Sequence, residues 1–296
     1  MSAEPSPLVI LPPSSLPELG PLVVVEGECA YFPDQRPSRT AFALPEWLDG
    51  STYQRAMDQG MRRSGTVVYR PLCEGCRKCI PLRVPVDEYA PSRSQRRVER
   101  RCEGLFDVRV GPPQLDDERL ALYRRYQRFQ HGEQAQASDG TSYRRFLVET
   151  VTDTVELVWR DAAGTLVAVG VLDVTPDALS SVYFYWEPSL AHLSLGVYSA
   201  LIEIELCRRW QKRWYYLGYL VPGAKTMNYK AAFPGAEVWT GAAWASLGGR
   251  SVDEALPAEV LAAAEQRATD ADRGRFELEA AAGLLSLPVV GEGGPK

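Results

Sequence analysis

Forty residues, Arg62–Arg101, restrict what this chain can fold into more than any other stretch. They hold eleven Arg and Lys against four acids, a net charge of +7 in a protein whose formal total is −5. The remainder therefore sums to −12. Like charges at that density have to be spread over a surface, and a basic surface kept in an acidic protein usually meets an anion. Phosphate is the expected one. Inside the same stretch Cys73, Cys76 and Cys79 recur at every third position.

At 296 residues the chain can fill one large core or two modest ones. Its 45% hydrophobic and 24% charged residues exclude wholesale disorder. No apolar run approaches the roughly 18 residues of a membrane span, so no membrane partner is expected. The opening MSAEPSPLVILPPSSLPELG has no basic region followed by a continuous apolar run, so it does not read as a secretory signal. The six cysteines are then expected as reduced thiols or metal ligands in the cytoplasm, not as a disulfide framework.

The periodicities predict an α+β (α/β) chain in four parts. Residues 1–21 are a Pro-rich mobile or extended leader. Residues 22–112 form a Cys- and Arg-rich domain: a strand in LVVVEGECAYF, a helix in PEWLDGSTYQRAMDQGM with Ser51 as N-cap, strands in TVVYRPL and PLRVPV, and a cationic helix in SRSQRRVERR. Residues 113–249 open with helices in LDDERLALYRRYQRF and TSYRRFLVET. Strands VELVWRD, TLVAVGVLDVT and LSSVYFYWEP follow, then a helix SLGVYSALIEIELCRRWQKR capped by Ser194, and a strand WYYLGYLV. Residues 250–296 read as an appended helical tail.

Three groups of residues carry chemistry. Cys73, Cys76 and Cys79, with Cys29 folding over as a fourth, suit zinc or an iron–sulfur cluster, or are simply thiols buried in a loop. Arg62, Arg63 and Arg70 flank Ser64-Gly65, a small turn whose amides and guanidinium forks would surround a phosphate. Arg93, Arg96, Arg97, Arg100 and Arg101 would track a polyanion backbone, or form a solvated helix face. In the second half, Ser194 and Gly196 open a long helix whose free N–H groups would face an anion. Tyr183, Tyr185 and Tyr219 would line one cleft from facing strands and, with Lys230, are the candidate catalytic residues, although strand aromatics are more often core. No Gly-x-Ser-x-Gly or Walker pattern is present, which leaves hydrolase and kinase readings without support.

CAYFPD at Cys29–Asp34, RRSG at Arg62–Gly65, YRPLCEGCRKCIPLRVPV, PSRSQRR, SVYFYWEP, SLGVYSALIEIE, YYLGY and MNYKAAF together resemble the aminoacyl-tRNA–protein transferases. The chain is most similar to the bacterial aspartate/glutamate leucyltransferases, relatives of the arginyl-transferases, over about residues 26–245. The resemblance implies a GNAT-like acyltransferase fold joined to a cysteine-containing N-terminal domain. It implies transfer of leucine from leucyl-tRNA to the N-terminal α-amine of proteins that begin with Asp or Glu, marking them for degradation by the N-degron pathway. No cofactor is required for that chemistry, because an aminoacyl ester is already activated and needs mainly positioning. Arg62, Arg63 or Lys230 would meet the acceptor's carboxylate, and Arg93–Arg101 the tRNA. In one segment, RFQHGEQAQASDG, Phe129 and Gln130 stand where the family has an Arg-His pair, with His131 displaced. Arginyl transfer is the near variant. A non-catalytic metal/thiol RNA-binding protein and a coenzyme A-dependent acetyltransferase are the competing classes.

Overall fold

The computed structural model describes residues 9–11, 16–32, 36–132, 139–224, 226–248 and 276–277. Two sheets carry the chain. The first is antiparallel and draws on β1 (Val9–Leu11), β2 (Leu22–Glu28), β3 (Pro37–Ala43), β4 (Arg62–Ser64) and β5 (Val67–Pro71). The second contains β6 (Ile80–Pro85), β7 (Asp107–Gly111), β8 (Thr154–Arg160), β9 (Leu166–Val174), β10 (Ala178–Trp186), β11 (Trp214–Leu220), β12 (Glu237–Trp239) and β13 (Trp244–Ser246). Its order is β13-β12-β6-β11-β10-β9-β8-β7; the first sheet's is β14-β1-β2-β3-β5-β4, with β14 at Phe276–Glu277. Residues on both sides of the expected 112/113 division thus share the eight-stranded sheet. Apart from β14, the expected helical tail lies outside the described residues. The end of the leader is anchored: Leu16 and Leu19 are buried in the core cluster that also holds Tyr53 and Met57.

The helices start where local chemistry satisfies free amides. In α1 (Gly50–Asp58) the cap is Asp49, not Ser51, because a carboxylate accepts from both Ser51 N and Thr52 N. In α2 (Arg93–Cys102) Ser92 and Gln95 form a reciprocal capping box. Next come α3 (Asp117–His131), α4 (Gly140–Tyr143) continued by a π turn at Arg144–Val148, and α5 (Leu195–Arg209). Ser194 does not cap α5 with its side chain. It is left-handed at φ 59, and its carbonyl receives Val197 N and Tyr198 N.

β9, LVAVGVLDV, is buried on both faces, as befits a strand covered on either side. Its neighbour β10 runs parallel to β11, a pairing that requires the α5 crossover. The two strands pair only through Ala178↔Trp214, Leu179↔Tyr215 and Ser180↔Tyr216. Beyond that point each shifts register against its outer neighbour, β10 at Ser181/Tyr183 and β11 at Tyr216/Gly218. A bulge bends the strand that carries it, so β10 and β11 part. The opening they leave is the wedge on which the site is built.

A cleft between parted strands as the candidate active site

Gly218, at φ 88, marks the β11 side of the wedge. A Cβ there would stand 3.1 Å from Lys230 Nζ and 3.7 Å from Arg62 Nη2. Two buried cations therefore converge on one glycine. Arg62 comes from β4 and Lys230 from the short helical turn Asn228–Ala232. Lys230 Nζ donates to the Tyr219 carbonyl at 3.1 Å. Arg62 Nη1 meets Met57 Sδ at 3.8 Å, its guanidinium lies 5.5 Å from the Tyr216 ring centre, and Nη2 is buried without a hydrogen-bond partner. Burial, and then the Arg62 charge, push the Lys230 ammonium down to about 7. Among the described residues no carboxylate pairs with either cation. Two buried like charges are costly unless an anion joins them, so this cradle is shaped for an anionic group.

Tyr219 belongs to the same wall. Its hydroxyl donates to the Gly60 carbonyl at 3.3 Å, and its ring meets Tyr69 edge-on at 6.0 Å. Burial pushes the hydroxyls of Tyr69 and Tyr219 up, to about 12 for Tyr69, so both stay neutral and available for hydrogen bonding. Tyr183 and Tyr185 are not brought to this wall. They turn towards α3 and α4: the Tyr185 hydroxyl lies 2.7 Å from that of Tyr143 on α4, and Tyr183 accepts from Gln127 Nε2 on α3 at 2.8 Å. Tyr185 is fully buried among Tyr123, Tyr126 and Tyr143. The expected single tyrosine-lined cleft is corrected to an aromatic core on one side and the Tyr219 wall on the other. Side-chain alternation predicted that these rings share a face within β10; it could not predict the bulges.

Arg63 is also corrected. It grips Asp173 on β9 through Nε at 2.9 Å and Nη2 at 2.7 Å, and gives Nη1 to the Gly65 carbonyl at 2.7 Å. Both side chains are essentially inaccessible, so Arg63 ties the first sheet to the second and is closed off from a substrate. Ser64 is buried beside it, and a Cβ on Gly65 would collide with the Arg145 carbonyl. The Ser64-Gly65 turn is therefore packed shut against the π turn and offers no phosphate nest. Arg70 is half-buried on β5. It follows Tyr69 and so points to the opposite face of the sheet from the Tyr219 wall.

The basic helix is where the sequence put it. Arg93, Arg96, Arg97, Arg100 and Arg101 are all exposed on α2. Arg101 Nη1 donates to the His192 carbonyl at 2.8 Å, and the Cys102 thiol lies 3.6 Å from the Leu193 carbonyl. That docks the patch beside the start of α5, where Gly196 has open space around it. The Gln95 amide reaches the Ala232 carbonyl at 3.5 Å, joining α2 to the turn that carries Lys230.

Relatives with known names fit this layout. A sequence model of the arginine-tRNA–protein transferase N terminus matches residues 27–97, and one of its C terminus matches residues 118–240. A Halorhodospira halophila protein named aspartate/glutamate leucyltransferase is 40% identical over 73% of this chain and 92% of its own length. The chain belongs to the arginine-tRNA–protein transferase family. Proteins of the same name from Thiobacillus denitrificans and Chromobacterium violaceum are 38% and 36% identical, each over 74% of this chain and 91% and 90% of theirs. Likeness to solved structures is low: L-PGS from Bacillus licheniformis gives a TM-score of 0.36 at 12% identity, over 69% of this chain and 70% of that one.

Four of the transferase's six cysteines gather beside the same wall. Cys29 follows β2, and Cys73, Cys76 and Cys79 lie between β5 and β6; all four are half-buried. Their thiols act on one another electrically, and burial, then Cys73, raises Cys79. The Tyr31 hydroxyl is raised by burial, then by Tyr69, Cys79 and Cys29, which sets the thiols at the edge of the Tyr69–Tyr219 cluster. Arg77 holds the loop by donating to the Cys73 and Cys76 carbonyls. Four sulfur donors suit a thiophilic metal. Their positions do not: among the described residues no group of three is placed to hold an ion.

Sequence reasoning also missed that Glu203 is buried; the available signal was an acid at a buried register of α5, between Ala200, Ile204 and Cys207.

Proposed function

We propose that this transferase moves leucine from leucyl-tRNA to the N-terminal α-amine of proteins that begin with Asp or Glu, on a GNAT-like acyltransferase fold. The Arg62–Lys230 cradle carries the reading: two buried cations without an acid of their own fit the side-chain carboxylate of such an acceptor. The short parallel pairing of β10 and β11, followed by their separation, supports the fold assignment. The product would be marked for degradation, in the cytoplasm where charged tRNA is found. No helix among the described residues is long and apolar enough to cross a membrane.

An aminoacyl ester needs no activation, so the protein's task is to hold amine and carbonyl at attack distance. Arg62 and Lys230 fix the acceptor through its carboxylate and thereby place its α-amine in the wedge. The α2 arginines hold the tRNA phosphates, and the free amides at the start of α5 face the acceptor end. Cys29, Cys73, Cys76 and Cys79 are the sulfur donors that a zinc ion or iron–sulfur cluster would call on, and no step runs through them. Elemental analysis of the purified protein decides between metal and bare thiols.

The direct test incubates the protein with radiolabelled leucyl-tRNA or arginyl-tRNA and peptides starting with Asp, Glu or Ala. Label is expected from leucyl-tRNA on Asp and Glu peptides. Label from arginyl-tRNA alone would reassign the donor, and no label on any peptide would sink the reading.

Two further results are expected. Replacing Arg96, Arg97 and Arg100 together with Gln should raise KM for leucyl-tRNA and flatten its salt dependence by roughly 0.7–0.9 in log–log slope per lost phosphate contact. KM for the peptide should stay constant; an unchanged salt slope would move the tRNA elsewhere. The second concerns pH. Lys230 is depressed to about 7 when the cradle is empty, and a bound carboxylate must raise it. Acceptor binding is therefore fully supported below pH 7 and weakens as pH rises above it, by up to about tenfold per unit. KM for Asp peptides should climb accordingly in the native enzyme and be flat in Lys230→Met.

A further inference from the structure

A second basic surface lies outside the Arg62–Arg101 island. Residues 119–148 carry six arginines against two acids, a net charge of +4. Two of the six are bound within the fold: Arg119 grips Glu156 at 3.0 Å, and Arg125 holds Glu187 at 2.8 Å. Arg128, Arg144 and Arg145 differ. All three are exposed, and among the described residues no guanidinium of theirs has a hydrogen-bond or ion-pair partner. The helical period sets Arg124, Arg125, Arg128 and Phe129 along one face of α3, away from the buried Leu122, Tyr123 and Tyr126. Phe129 is 52% exposed, so a large aromatic ring stands in water beside open arginines.

Packing brings these residues to one place. α4 and its π turn run beside α3: the Tyr123 and Tyr143 rings meet edge-on at 5.3 Å. Further along, Gln127 donates to the Tyr183 hydroxyl at 2.8 Å, and the Phe146 ring lies 5.0 Å from the Tyr183 ring. Arg144 and Arg145 therefore flank the last turns of α3. The π turn closes where Glu149 N donates to the Arg144 carbonyl at 2.8 Å, and such turns recur at functional sites. It also borders the acceptor cradle, because the Arg145 carbonyl packs against Gly65 in the turn that follows Arg62.

This surface and the α2 arginines lie on opposite faces of the eight-stranded sheet. Along β9, Ala168 and Leu172 face the core shared with α2 and α5, whereas Val169 and Val171 face the core shared with α3. Asp173 continues the second register, so Arg63, its neighbour Arg62 and the acceptor cradle belong to the α3 face. A tRNA seated on α2 alone would approach from the side away from the acceptor. Its aminoacylated end has to pass the carboxyl end of β10. The 3₁₀ turn Pro188–Leu193 occupies that end and joins both surfaces: Arg101 donates to its His192 carbonyl, and Arg125 holds Glu187 just before it. We infer that Arg128, Phe129, Arg144 and Arg145 hold the single-stranded 3′ end of the donor tRNA on the α3 face; this rests on the transfer proposed above. Guanidinium forks take the phosphates, and the Phe129 ring takes a base. An acidic acceptor protein fits less well. Acceptors of this reaction share only their first residue, whereas every donor presents the same single-stranded end to a fixed surface.

The test measures equilibrium binding of uncharged leucine tRNA, intact or trimmed of its single-stranded 3′ end, across a salt series. The proteins are the native chain, the triple variant Arg128→Gln, Arg144→Gln, Arg145→Gln, and Phe129→Ala. The native protein is expected to bind intact tRNA more tightly, and with steeper salt dependence, than trimmed tRNA. In the triple variant the log–log slope for intact tRNA should fall by roughly 0.7 per lost contact, the single-strand value, and trimming should cease to matter. Phe129→Ala should keep the native slope and raise Kd about five- to 150-fold. Both should melt within about 2 °C of the native protein, because exposed side chains without partners carry little stability. In the transfer assay, KM for leucyl-tRNA should rise in both while KM for the Asp peptide stays constant. A merely solvated face predicts native binding throughout. Either variant matching native affinity for intact tRNA overturns the inference, as does a native protein that binds intact and trimmed tRNA alike. A raised peptide KM with unchanged tRNA binding also overturns it, by giving the surface to the acceptor. Those results leave the leucyl-transfer reading standing, whereas a native protein that binds no tRNA would overturn both.

Discussion

Arg62→Met is expected to lower kcat/KM for peptides starting with Asp or Glu by about 10²–10³, with Tm unchanged or slightly raised. Truncating one partner of a buried, hydrogen-bonded charge pair costs roughly 2–5 kcal/mol, and each 1.4 kcal/mol is tenfold. In the free protein Arg62 has no acid to lose: Nη2 is without a partner, and the nearest groups are Met57 sulfur and the Tyr216 ring. Met can fill that apolar surround without stranding a carboxylate. Stability should therefore survive while acceptor binding fails. Lys230→Met should act in the same direction, since both cations face Gly218. Comparison of Asp, Glu and Ala peptides checks the idea. An Asp-over-Ala preference that persists in Arg62→Met would place the acceptor carboxylate elsewhere.

Its neighbour should behave in the opposite way. Arg63→Met is expected to destabilise the fold by about 3–5 kcal/mol, the usual cost of stranding one member of a buried ion pair. At roughly 2–4 °C per kcal/mol for a chain of this size, Tm should drop by about 10 °C. Asp173 would be left fully buried without its cation, with the Thr154 hydroxyl at 2.9 Å among the donors that remain. The double variant Arg63→Met with Asp173→Leu should recover much of the loss, because neither charge is then stranded. Thermal melts of the two single variants and the double variant decide this. A single Arg63→Met that melts like the native protein would mean that the pair carries no structural weight. On these outcomes the adjacent arginines of one Arg-Arg pair would separate into a ligand-holding group and a structural tie.

Much of the local structure was legible. Helix α2 and its exposed arginines, strands β8 to β10, helix α5 and strand β11 follow from periodicity, because burial of one face writes itself into residue spacing. Short strands such as β4, β12 and β13 were not readable, since three residues carry no period. Both N-caps assigned to serine failed for local reasons: Asp49 offered a stronger acceptor than Ser51, and Ser194 adopted a left-handed backbone that turned its side chain away.

By itself the sequence determined the basic island, the thiol spacing, the motifs that mark the family and the set Arg62, Arg63 and Lys230 as candidates for the acceptor's carboxylate. Charge, spacing and motif are properties of the chain, so they survive without coordinates. Only the tertiary structure decided which arginine of the Arg62-Arg63 pair is free. That depends on Asp173, 110 residues away, reaching one guanidinium and not the other. Only the tertiary structure parted β10 from β11, because the bulges at Ser181/Tyr183 and Tyr216/Gly218 come from packing against outer strands. The same parting put Tyr183 and Tyr185 into the core and Tyr219 beside the cations. Contacts between distant segments set these outcomes, and no local pattern encodes them.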